Sequence, residues 1–164
     1  MPINELLLGE FDTEMANTRK TLERVPADKW DWKPHEKSGT LGWLAAHVAT
    51  LPEFTVATIH TSELEIATAK MPKVQNKSEL IPQFEKSRDE ARKALAGVTD
   101  EQLRETWTLK WNGNVLFAIP RYDCLRGMCF NHMIHHRAQL TVYLRQLNVP
   151  VPGLYGPSAD EKTF

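Results

Sequence analysis

Apolar residues recur every three or four positions along four long stretches of this chain, and little else in it is regular. That period is helical, so each stretch carries an apolar stripe that must be buried against another element. The first runs from about Ile3 to Arg24, with Ile3, Leu7, Phe11, Met15, Thr18 and Leu22 on one face. Val25-Pro26 ends it, because proline restricts the residue before it and cannot continue the hydrogen-bond ladder. The second starts near Thr40, a residue suited to capping, and extends to about His60. Leu41, Leu44, Val48, Leu51 and Thr55 form its inner face, but Trp43, Ala46, Ala49, Phe54, Val56 and Ile59 make its other sides apolar too. A partner surface, such as that of a homodimer, would account for this second face. Pro52 removes a bond to the Val48 carbonyl and should kink the helix. The third stretch spans Ser78 to Gly97, with Pro82 in its first turn and Gly97 as its stop. The last runs from about Pro120 to Asn148.

The connections are long. Pro26 to Gly39 holds Trp30, Trp32 and Pro34, which read as a lid folded over a bundle end in preference to a pocket wall. Glu63 to Lys77 reads as a crossover. Thr99 to Gln102 matches a capping box and starts one short helix. Between Thr106 and Ile119, β-forming residues flank Asn112-Gly113, a strong turn signal, so a short hairpin or extended loop precedes the last helix. The tail from Val149 is rich in proline and glycine and should lie extended over the surface. The expected fold is all-α, a four-helix bundle with long crossovers, in one domain over residues 1–164.

Charge and composition narrow the partners. The 20 basic and 21 acidic residues nearly cancel, and no basic block suits a phosphate backbone, so nucleic acid is a poor partner. No apolar run approaches the roughly 20 residues that span a bilayer. The longest, Leu41 to Ala49, is too short and contains a histidine. The amino terminus lacks a signal-peptide pattern. Cys124 and Cys129 would point about 140° apart on a regular helix, which disfavours a disulfide. Free thiols without an export signal suggest the cytoplasm.

The six histidines are the most informative residues. On the last helix, Leu125, Cys129, His136, Tyr143 and Leu147 fall within about 40° of one another, with His132 about 20° further on. His132 and His136 thus project inward from one face, one turn apart. His47 shares the inner face of the second helix with Leu44, Val48 and Leu51. A neutral imidazole in an apolar interior needs partners for both nitrogens. A lone inward histidine is more often a satisfied core residue. An i,i+4 pair joined by a third histidine from a facing helix can answer the need together, by binding one metal ion. Three neutral ligands also leave positions open for water or substrate, as in catalytic sites. Mutual hydrogen bonding without a metal is the competing arrangement. His135 lies nearer the stripe's edge and is a candidate hydrogen-bond or proton donor beside the ligands; His35 and His60 fall outside this face. Cys129 is a buried small hydrophobe in preference to a soft ligand. The sequence contains no nucleophile elbow, P-loop or dinucleotide fingerprint, and no further catalytic residue stands out.

The same residues carry a family resemblance. The run Asn131-His132-Met133-Ile134-His135-His136-Arg137-Ala138-Gln139-Leu140, then Tyr143-Leu144-Arg145, and the tail Val149-Pro150-Val151-Pro152-Gly153-Leu154-Tyr155-Gly156-Pro157-Ser158-Ala159-Asp160-Glu161 resemble the C-terminal signature of the DinB/YfiT-like superfamily. Thr40-Leu41-Gly42-Trp43-Leu44-Ala45-Ala46-His47 resembles its second-helix motif. Ala138 departs from the pattern, where many relatives have glycine, a small-for-small change. The resemblance implies an up-down-down-up bundle, often a homodimer, with nickel, zinc or iron on His47, His132 and His136. It also implies a metal-dependent enzyme acting on a small molecule, since relatives include thiol S-transferases using low-molecular-weight thiols and a thiol-dependent maleylpyruvate isomerase. Other relatives are named for induction by DNA damage. Thiol transfer to an electrophile is therefore the expected reaction. Hydrolysis through metal-activated water, or a non-catalytic stress-associated metal- or ligand-binding dimer, are the alternatives.

Overall fold

Where the apolar stripe begins after Pro2, the first helix begins. In the computed structural model, which describes residues 1–70 and 72–162, α1 spans Ile3–Glu23 and buries Leu7, Phe11, Met15 and Leu22. It stops as the backbone turns at Arg24 and Val25, whose N–H groups bond the carbonyls of Thr21 and Leu22. The aromatic connection that follows supplies what the next helix lacks. The first amides of a helix have no partner within it. Here Leu41 N–H bonds the Trp32 carbonyl, Gly42 N–H bonds the Trp30 carbonyl, and Trp43 N–H bonds the Thr40 hydroxyl oxygen. Trp30 lies so close over α2 (Leu41–Thr50) that a Cβ at Gly42 would sit 2.3 Å from its indole. Trp32 meets Tyr143 edge-on at 5.7 Å.

The kink expected at Pro52 divides the second stretch. α2 ends at Thr50 and α3 runs Pro52–His60, while Leu51 between them keeps helical dihedrals. α4 covers Lys77–Gly97 and is capped by the Asn76 side chain, which accepts from the amides of Ser78 and Glu79. The capping box between Thr99 and Gln102 forms and starts α5 (Asp100–Arg104).

The all-α expectation is corrected by a three-stranded sheet in the order β1-β2-β3. β2 (Thr106–Trp111) and β3 (Asn114–Pro120) form the hairpin, with Asn112 and Gly113 at φ 49° and +76° in the turn. Two successive positive φ values are what Asn-Gly tolerates best. The strand that the sequence reading missed is β1 (Glu63–Glu65), parallel to β2, within the presumed crossover. Its three residues are too few to show a period. What holds it is tertiary: Glu65 accepts from the amides of Asn112 and Gly113 at 3.0 and 2.8 Å. These bonds, Gly113's foremost, hold its carboxyl below the usual range. From the sheet, Trp107 packs into the core edge-on to Phe54 at 5.5 Å.

The last helical run also differs from a regular helix. α6 (Arg121–Cys124) passes into a π-helical segment, Leu125–Asn131, and then α7, His132–Gln146. A π turn closes with i→i+5 bonds, so residues five apart share a face. Cys124 and Cys129, expected to diverge, both meet α3, Cys124 at the Thr58 hydroxyl and Cys129 beside Thr55; both are free and buried. α1, α2, α3, α4 and the run ending in α7 pack on one another through a common apolar core. The molecule is thus mostly helical with a small sheet. Among the described residues no helix is long and apolar enough to cross a membrane.

Candidate metal centre

α2 and α7 are neighbours in the fold, and each turns histidine side chains toward the other. One ring nitrogen from each of His47, His132 and His136 lies within 4.8 Å of the other two. The ring centroids are 5.3 Å apart for His47 and His132, 4.7 Å for His47 and His136, and 4.6 Å for His132 and His136. Among the described residues this is the one cluster of three or more potential ligands of this kind. All three rings are half-buried.

Hydrogen bonds at the far nitrogens identify what the near ones offer. His132 Nδ1 faces the Met128 carbonyl at 3.3 Å, and His136 Nδ1 faces Gln139 Oε1 at 2.7 Å. Both partners are acceptors, so each ring donates from Nδ1 and presents a lone pair at Nε2 when neutral. His47 Nε2 lies 3.5 Å from His132 Nε2. A single N–H on His47 can satisfy at most one of the two lone pairs opposite it. A cation shared by the three would satisfy them together. Two nitrogens each about 2.1 Å from one ion at a tetrahedral angle stand about 3.4 Å apart, and the 3.5 Å separation matches that. The donor set therefore fits a divalent transition metal.

Burial acts the same way. It is the largest cause that lowers the pKa of His47 to about 4, assisted by the charges that His136 and His132 would carry. His132 is also lowered, chiefly by burial and then by His136, against the raising effect of its bond to Met128. These two imidazoles are neutral near pH 7, the form that ligates metals.

The π segment has a local part in this geometry. His132 N–H reaches back to the carbonyls of Gly127 and Cys129. The Met128 carbonyl between them faces the His132 side chain. π turns occur often at functional sites, and this one ends where the histidines begin.

Trp43 stacks on His47, with centroids 5.4 Å apart and planes 10° from parallel. Beside them opens a groove of about 460 Å³ lined by Trp30, Trp43, His47, Thr50 and Lys73, among others. Trp30 is thus both a lid on α2 and a wall of this groove. His135 lies on the exposed side of α7, edge-on to His136 at 5.0 Å. His35 and His60 are exposed and outside the cluster. Cys129 lies beside Thr55 in the core, and burial drives its thiol up to about 12. The sequence reading did not single out Gln139, although its i,i+3 spacing from His136 places both on one surface turn. Nothing in the sequence marks the Met128 carbonyl.

The family model described as DinB family matches residues 1–163. The Bacillus subtilis protein YrdA is 27% identical over 157 residues, covering 94% of this chain and 89% of that protein. The crystal structure of a DinB-like protein from Bacillus cereus superposes with a TM-score of 0.69 at 25% identity, over 90% of this chain and 95% of the other. The DinB-like protein YjoA of Bacillus subtilis gives a TM-score of 0.73 at 19% identity, over 96% and 99% of the two chains, a likeness of fold.

Proposed function

The chain belongs to the DinB family, and from that premise we propose that it is a metal-dependent enzyme that joins a small thiol to a small electrophile. His47, His132 and His136 hold the ion, which is nickel, zinc or iron. Such an ion supplies Lewis acidity and lowers the pKa of a thiol or water that it binds. The observation that carries the reading is the approach of one ring nitrogen from each of His47, His132 and His136 to within 4.8 Å of the other two, with Nδ1 of His132 and of His136 already facing an acceptor.

The protein's own residues divide the work. The three imidazoles bind the ion, and burial keeps those of His47 and His132 neutral. Trp43 backs His47 and limits how its ring can turn. The groove beside it has the volume of a small-molecule site. His135, exposed next to His136, is our candidate for carrying a proton between the site and solvent. Burial raises the pKa of both Cys124 and Cys129, which makes them poor nucleophiles at neutral pH. The reacting sulfur in this scheme therefore comes from a low-molecular-weight thiol. We place this activity in a cytoplasmic homodimer of one-domain chains with the up-down-down-up bundle order.

The test is turnover of a panel of thiols and electrophiles by nickel-, zinc- or iron-loaded protein, alongside metal analysis of untagged protein. We expect near-stoichiometric metal that His132→Ala removes, and thiol consumption above that of free metal. Unchanged metal in His132→Ala would reject the ligand assignment. Thiol-independent ester or amide cleavage would point to hydrolysis, and bound metal with no turnover to a binding protein.

A further inference from the structure

Two histidines on α7 aim at one point, but different kinds of group hold them. His132 is fixed by a backbone carbonyl, that of Met128, which no side-chain substitution removes. His136 is fixed by a side chain, Gln139, at 2.7 Å. A neutral imidazole carries one proton, and in free histidine that proton sits mainly on Nε2. In that form His136 would point an N–H into the cluster and could not ligate there. Gln139 Oε1 can only accept, so its bond is made when the proton is on Nδ1. The reverse arrangement, with the Gln139 amide donating to Nδ1, would leave Nε2 protonated and close the site.

We propose that Gln139 is a positioning residue that selects the Nδ1–H tautomer of His136 and so turns its Nε2 lone pair toward His47 and His132. Its consequence for ligation rests on the metal reading above; the tautomer itself does not. The device is local: Gln139 stands one turn after His136 on the same helix. The ring is thus set before any ion arrives, and no motion of another element is needed. Such outer partners typically change metal affinity by about 10- to 100-fold. Gln139 is exposed, so water competes for Nδ1–H, and the effect belongs near the lower figure.

The experiment has two arms, on wild type, Gln139→Leu and Gln139→Glu. Exposure of residue 139 means that all three should fold, which thermal unfolding verifies. In chelator-treated protein near pH 8, long-range 15N–1H spectra of the His136 ring should show Nδ1–H in wild type and Gln139→Glu. Gln139→Leu should shift toward Nε2–H. In the second arm, zinc affinity measured by competition with a chromophoric chelator should fall about tenfold in Gln139→Leu. Gln139→Glu should keep or exceed the wild-type affinity, because a carboxylate is the stronger acceptor. An Nε2–H ring in wild type, or a Gln139→Leu variant with unaltered tautomer and zinc affinity, overturns the proposal. If wild type binds no zinc while the tautomer still responds to residue 139, the metal reading fails and the positioning role stands.

Discussion

Arg137 follows His136 in the chain, yet it is only 1% exposed and points the other way, into the core. Its guanidinium donates to the Glu14 carbonyl and to the Thr18 hydroxyl, pairs with the Glu14 carboxylate at 2.6 Å, and meets the Tyr155 hydroxyl at 2.5 Å. Tyr155 in turn donates to Glu14. Removing one partner of such a pair leaves the other charge buried. We expect Arg137→Ala to cost about 3–5 kcal/mol in urea unfolding, while Tyr155→Phe costs about 1 kcal/mol. Equal costs would mean that the charge pair matters no more than one neutral bond. His47 makes a prediction in pH. Its pKa is about 4 in the folded chain against 6.5 ordinarily. Between those values the unfolded chain binds more protons, so stability rises with pH across the window. The contribution is complete above about pH 6.5 and drains away as pH falls toward about 4. Denaturant titrations of chelator-treated protein should show this slope, and His47→Gln should flatten it.

Individual elements depend on a few contacts outside themselves. α2 is short, and its first-turn amides are served by Thr40 and by the carbonyls of Trp30 and Trp32. Gly42 allows this, since a Cβ there would collide with the Trp30 ring at 2.3 Å. Gly42→Ala should therefore destabilise the protein by about 1–3 kcal/mol despite alanine's better helix propensity. A stabilised variant would mean that Trp30 moves aside freely. Legibility differed among elements for similar reasons. α1, the kink at Pro52, the α5 capping box and the Asn112-Gly113 hairpin could be read because each follows from neighbours in sequence. β1 could not, because three residues have no periodicity and are held by pairing with β2. The π segment could not either: a widened turn leaves the pattern of apolar residues nearly unchanged, but Cys124 and Cys129 both come against α3.

For the whole molecule, the candidate site joins α2 to α7 across 85 residues of sequence. Any ion that binds the folded arrangement and not the open chain must stabilise the fold by mass action. At a free zinc concentration about 100 times Kd the gain is about 2.7 kcal/mol. Calorimetry should show a Tm that rises with zinc and returns on chelation, and His136→Ala should remove the response. A wild-type Tm indifferent to zinc, nickel and iron would contradict a site formed by folding.

Which residues could meet follows from local spacing alone. Helical period placed His132 and His136 one turn apart on an inward face and put His47 on the inner side of another helix, because side-chain direction along a regular helix depends only on spacing. Tertiary structure decided the rest. It set the 3.5 Å approach of His47 to His132, the acceptors that hold each α7 ring, and the course of β1 into the sheet. Those depend on how separate elements pack and where a helix widens, which are properties of long-range contacts that local spacing does not encode.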